Sequence, residues 1–175
     1  MRSSRALVLD GSLGFSIVAI VEEREGAVVC VADDVNYDQP LLQRISTLVP
    51  TQAERAALTE VVVGNGPGSY SGVRVAASAG VGIAVAMELP LRESPSERAL
   101  WRAMQRSLSI SLGTRESLEI AEGSAVVVER ASASPQVTRE EIRHIVACAI
   151  VQEAGPAVPH ITLRYPAPAR GSEVK

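Results

Sequence analysis

The residues best placed for chemistry lie in one short segment, Gly64-Asn65-Gly66-Pro67-Gly68-Ser69-Tyr70-Ser71-Gly72, with Arg74 just beyond it. Its glycines let the backbone take positive φ and approach a partner closely. The segment follows a β-branched run and opens a helical one, so unpaired N–H groups at the helix N-terminus border it. Such a terminus attracts a phosphate or a carboxylate, and Asn65, Ser69 and Arg74 are polar partners within the same stretch. Asp10 and Ser12, in the turn after the first apolar run, read as a second phosphate-loop element rather than as a nucleophilic site. The competing reading needs no ligand: the glycines form a tight turn and bring the helix close to its sheet. Arg74 divides in the same way, between an anion partner and an exposed or ion-paired surface arginine. The segment is not a P-loop, since Gly-Lys-Ser/Thr is absent. Pro67 and the glycine spacing do not fit a dinucleotide fingerprint either.

No other set of residues makes a site. His144 and His160 fall in different elements and read as surface or partly satisfied histidines, so no metal is expected. Cys30 and Cys148 sit in apolar surroundings, outside any Cys-x-x-Cys or Cys/His cluster. They read as small buried hydrophobes in a reduced cytosol, with a disulfide as the less favoured alternative. The 175 residues carry 17 basic and 20 acidic side chains, a net charge of −3, without a long basic run. Phosphate contacts dominate nucleic-acid affinity, so direct, tight RNA binding is not favoured. The apolar run after Arg5 stops at Asp10, too short for a signal peptide, and Val75 to Met87 falls short of a bilayer span. The expectation is a cytoplasmic protein with no membrane contact.

The elements that hold these residues follow from pattern. Hydrophobic residues are 46% of the chain and aromatics 3%, so Val, Ile, Leu and Ala must fill the core. Ala6–Leu9, Phe15–Val21 and Ala27–Ala32 read as strands joined by tight turns, an antiparallel meander at a sheet edge. Gln39-Pro40 opens a helix that Pro50 closes, and Thr51 with Glu54 has capping-box spacing for a short second one. Glu60–Val63 is a central strand, Val73–Met87 a helix, and Pro95-Ser96-Glu97 the start of another through about Gln105. Ser107–Gly113, Ser117–Ile120 and Ala125–Val128 are strand-like, and Thr138–Gln152 is a helix with Thr138 and Glu141 in capping-box spacing. Gly155-Pro156 stops it, Ile161–Arg164 reads as a last strand, and residues 166–175 as a flexible tail.

As a string the glycine-rich loop resembles the GNGPGSFTGLR signature of the TsaB (YeaZ-like) family. That family lies in the glycoprotease-like branch of the actin/sugar-kinase/Hsp70 superfamily. Tyr70, Ser71 and Val73 stand where the signature has Phe, Thr and Leu. Leu7-Val8-Leu9-Asp10-Gly11-Ser12 is similar to the family's opening strand and LDTS turn, with Gly11 for Thr. Pro159-His160-Ile161-Thr162-Leu163-Arg164 is similar to its closing P-x-YLR segment, with Thr162 for Tyr. The resemblance covers about residues 5–100 and returns at the tail.

This resemblance implies an α/β fold: an actin-like (ribonuclease H-like) domain with a mixed five-stranded sheet over residues 1–97, then a reduced second half over 98–165. It implies a subunit without a catalytic site, paired with the catalytic paralogue TsaD in threonylcarbamoyl modification of tRNA adenosine, with TsaE as the associated ATPase. Contact with tRNA would be indirect. No cofactor of its own is implied, and ATP or ADP would be held only in complex with the paralogue. The paralogue's His-x-x-x-His metal pair has no counterpart here. Too few residues follow Glu97 for the fuller second domain of typical members, and Asn36-Tyr37-Asp38-Gln39 replaces a segment usual in the first helix. Two further readings stay open: a stand-alone nucleotide-binding hydrolase or peptidase-like protein, and a degenerate relative acting as a structural dimer. Gly72, Ala76, Gly80 and Ala84 form a small-residue stripe, with Ala77 and Ala79 beside it. The stripe faces either the protein's own sheet or a second molecule. The second choice makes it an interface for a homodimer, exchanged for a heterodimer with the paralogue.

Overall fold

Successive strand residues point to opposite faces, so a run apolar at every position is stable only when both faces are covered. Leu7, Val8 and Leu9 form such a run. In the computed structural model, which describes residues 4–14, 16–34, 36–111, 116–122, 124–129 and 139–165, they belong to β1 (Ser4–Asp10). β1 pairs antiparallel with β2 (Ile17–Arg24), and β2 with β3 (Ala27–Asp33), which is the expected meander with β3 at the edge. On its other side β1 pairs parallel with β4 (Glu60–Gly64), and β4 parallel with β5 (Leu91–Ser94). The result is a mixed five-stranded sheet of order β3-β2-β1-β4-β5. β5 is absent from the residue-level expectations, because Leu91 is its one apolar residue.

Helices cover both faces. On one lie α1 (Leu41–Leu48), α2 (Gln52–Ala56) and α3 (Tyr70–Ala86). Ile45 of α1 and Ala76, Ala77 and Ala84 of α3 bury against Leu7, Leu9, Val61 and Val63. Thr51 and Glu54 close the expected capping box on α2. On the other face lie α4 (Ser96–Met104) and α5 (Arg139–Glu153), with Ala99, Leu100, Val146, Ala147 and Ile150 against Ala6, Val8, Ala19 and Val62. A three-stranded antiparallel sheet, β6 (Leu108–Ser111), β7 (Glu116–Ala121) and β8 (Ser124–Glu129), adds Leu108, Ile110, Leu118 and Ile120 to that same core. Thr138 of the second expected capping box, and the tail 166–175, lie outside the described residues.

Cys30 of β3 and Cys148 of α5 are free and half-buried, both packed against the core. Burial, with smaller contributions from Cys148 and Asp33, pushes the Cys30 thiol up to about 12, as befits an inert apolar filler. Ile161–Arg164 forms no strand, which corrects that expectation. After α5 the chain instead bridges at Ala157 to Arg92 alongside β5, with Val158 N–H donating to Leu91 O at 2.7 Å, and bends at Pro159 and His160.

Candidate functional site

Asp10, Gly64 and Ser94 end three adjacent strands, so the loops that follow meet at the carboxyl edge of the sheet, where α/β folds place their ligands. Gly66 has φ +98°, a region open to glycine at little cost, and a β-carbon on it would collide with the Arg164 carbonyl oxygen. A β-carbon on Gly68 would collide with the carbonyl of Ser12. The loop thus lies backbone-to-backbone on the Asp10–Ser12 turn, and Ser69 N–H donates to Ser12 O at 3.3 Å. Several of its donors and acceptors are taken up by the chain itself. Asn65 N–H reaches Ser94 O at 2.9 Å, Gly66 N–H reaches Ser96 Oγ at 3.2 Å, and Ser69 Oγ caps α3 by accepting from Gly72 N–H at 3.2 Å. Close packing explains these glycines without a bound anion.

The side chains at this edge are acidic. Asp10 is fully buried, its Oδ1 accepting from Ser12 N–H at 2.7 Å. Burial pushes its carboxyl pKa up, offset in part by the hydroxyls and N–H of Ser12 and Ser96. Glu97, on the first turn of α4, is equally enclosed. Burial raises its pKa too, and the Arg164 guanidinium, 2.6 Å from Oε1, offsets part of that. Asp10 Oδ2, Ser12 Oγ, Asn65 Oδ1, Ser94 Oγ and Glu97 Oε2 are buried and find no hydrogen-bond partner among the described residues. Two carboxylates here disfavour a free phosphate, and the nearby Arg164 is already paired with Glu97. Ser94, Ser96 and Glu97 were not singled out from the sequence. Their one signal is the polar, acidic start of a helix directly after a strand.

Arg74 lies away from this edge. Its guanidinium stacks over the Tyr70 ring at 4.0 Å, and its Nε donates to Tyr165 Oη at 3.2 Å. The two tyrosine rings stack at 5.3 Å between centroids. His144 Nε2 lies 2.8 Å from Asp33 Oδ1, far along the chain from the exposed His160. Among the described residues no three His, Cys, Asp or Glu side chains converge as metal ligands.

The small-residue stripe is turned inward. Ala76, Gly80 and Ala84 are buried, and a β-carbon on Gly80 would collide with Val63 Cγ2 of β4. Its placement as an intermolecular interface is therefore corrected: these residues let α3 lie close on its own sheet. The opposite side of α3 is open. Val75 and Val85 are 54% and 73% exposed, Leu42 of α1 is 63% exposed, and Gly82 has nothing within 4 Å of its missing β-carbon. Between α1 and α3 lies a groove of about 530 Å³, lined by Pro40, Leu41, Leu42, Arg74, Val75, Ser78 and Ala79.

Residues 40–106 match the family described as TsaD, tRNA N6-adenosine threonylcarbamoyltransferase. No curated protein matches the chain significantly. Among solved structures, it is similar to an uncharacterized Pseudomonas aeruginosa protein with similarity to peptidase YeaZ. Identity is 22% and the TM-score 0.50, over 75% of this chain and 70% of that one. YeaZ from Pseudomonas aeruginosa matches at 22% identity and TM-score 0.50, over 78% of this chain and 73% of that one. The fold is accordingly the one shared with these two structures, α/β around a mixed five-stranded sheet. The glycine-rich loop lies within the residues matched by the TsaD family model, and the fold is shared with YeaZ, both in keeping with the expected YeaZ-like resemblance.

Proposed function

We propose that this chain, YeaZ-like in its loop and in its fold, is a non-catalytic accessory subunit that pairs with a TsaD-like paralogue in threonylcarbamoyl modification of tRNA adenosine. One observation carries the reading. The TsaD family match, residues 40–106, contains both α1 and α3, and these two helices bear the uncovered apolar face. A paralogue built on the same segment presents a similar face, and like faces meet about a two-fold or pseudo-two-fold axis. Leu42, Val75 and Val85 would form the apolar centre of the contact. In the paralogue's absence a second copy takes its place as a homodimer.

The acidic carboxyl edge, with its one arginine already paired to Glu97, supports leaving the chemistry to the partner. ATP or ADP then binds only in the assembled complex, where a TsaE-like ATPase joins, and tRNA is contacted through the paralogue. The setting is the cytoplasm; no described helix is long and apolar enough to cross a membrane. The test is co-expression with the TsaD-like protein of the same organism, followed by co-purification. A 1:1 complex is expected with the natural chain. Val75→Glu or Leu42→Glu should abolish it while leaving the unfolding curve unchanged, because both side chains are exposed. A natural chain that sediments as a monomer and ignores the paralogue would refute the proposal.

A further inference from the structure

The segment after α5 links the buried carboxyl edge to the groove between α1 and α3. Thr162 N–H donates to Glu93 Oε2 at 2.7 Å, and Arg164 N–H to Asn65 O at 2.8 Å. Ile161 and Leu163 pack against the core beneath α3. The Arg164 guanidinium reaches Glu97 Oε1 at 2.6 Å, its carboxylate side chain 2% exposed. The next residue, Tyr165, stacks on Tyr70 and accepts the Arg74 Nε hydrogen bond. Arg74 in turn lines the groove.

We infer that Tyr165, at the end of the segment after α5, belongs to the pairing surface: it fixes Arg74 at the rim of the α1/α3 groove, and the Arg164–Glu97 ion pair holds it in place. This rests on the proposed pairing with a TsaD-like paralogue and adds to it a part of the chain outside the segment shared with that family. A free arginine must be ordered on association, whereas one already clamped between a ring and a hydroxyl loses less freedom. Tyrosine and arginine at the edge of an apolar groove are also the side chains that most often dominate such contacts. Tyr70 and Tyr165 remain 58% and 43% exposed, so their rings are available to a partner. Arg164 and Glu97 act as positioning residues, through Tyr165.

The experiment measures affinity of the full chain for the TsaD-like paralogue, with thermal unfolding of each variant alongside. Tyr165→Ala and Arg164→Ala should each weaken binding about tenfold, chiefly through faster dissociation. Arg164→Lys, which keeps a charge for Glu97, should recover most of that loss. His160→Ala, at an exposed position in the same segment, should leave affinity unchanged. If Arg164→Ala also lowers the unfolding temperature, Tyr165→Ala decides, since its half-exposed ring lies outside the core. Binding of both alanine variants equal to that of the natural chain overturns the inference and leaves the proposed function standing. Failure of the natural chain to bind removes the proposed function, and this inference with it.

Discussion

Between Asp10 and Gly64 there is no room for a β-carbon, so the carboxyl of one lies directly against the other at the ends of two parallel strands. Enclosed there, Asp10 titrates above its ordinary 3.8, chiefly because burial disfavours the charged form. Its folded pKa is raised over the unfolded value. The protonated carboxyl therefore stabilises the fold fully below 3.8, and that contribution is lost as pH rises through the folded value. An asparagine keeps the acceptor that Ser12 N–H uses and cannot ionise. Asp10→Asn should match the natural protein in unfolding temperature near the acid end of this window and exceed it at neutral pH. What the substitution removes at neutral pH is the cost of ionising an enclosed carboxyl. Glu97, whose pKa is raised in the same direction, is common to both proteins and cancels in the difference. Parallel profiles of unfolding temperature against pH would sink this account of Asp10.

Two of the three glycines in helix α3 have opposite surroundings. Gly80 faces Val63, whereas nothing lies within 4 Å of a β-carbon placed on Gly82. Gly80→Leu should destabilise the fold by on the order of 3 kcal/mol through overpacking against β4, and Gly82→Ala should stabilise it by about 1 kcal/mol through helix propensity. Urea unfolding of the two variants reads both signs, and a tolerated Gly80→Leu would place the stripe on the outside after all. The spacing of Gly72, Ala76, Gly80 and Ala84 was legible in the sequence, but the direction of the stripe was not. Small residues also occur on the outer side, and what decides between the two is the shape of β4 beneath. β1 to β4, the capping box on α2 and the loop between β4 and α3 were legible because periodicity and turn chemistry act locally. β5 was not: Arg92 holds it through Glu60 Oε2 at 3.0 Å and through the carbonyls of Ala154 and Gly155, partners distant in sequence. The path of Ile161–Arg164 was likewise invisible, since it is fixed by Glu93, Asn65 and Glu97 rather than by a neighbouring strand.

Over the whole molecule the two sheets divide the chain near residue 97, whereas the core does not. Val146, Ala147, Ala149 and Ile150 of α5 are buried in one cluster with Ala6, Val8, Ala19 and Val21 of the five-stranded sheet and with Leu118 and Ile120 of the smaller one. A fragment of residues 1–97 would keep every strand of the larger sheet and lose the cover of one face. Burial of a Val or Ile side chain is worth roughly 1.5–3 kcal/mol, so exposing that face removes an amount comparable with the whole net stability of a domain, about 5–15 kcal/mol. The fragment should therefore lack a cooperative urea transition and expose apolar surface to a fluorescent dye, while residues 1–165 unfold in a single step. The strand edges at β4 and β5 point the same way: without Val158–Arg164 the fragment also loses the hydrogen bonds to Leu91 and Asn65. A fragment of residues 1–97 that unfolds cooperatively, with a slope in keeping with its size, would make residue 97 a boundary of folding as well as of sheet.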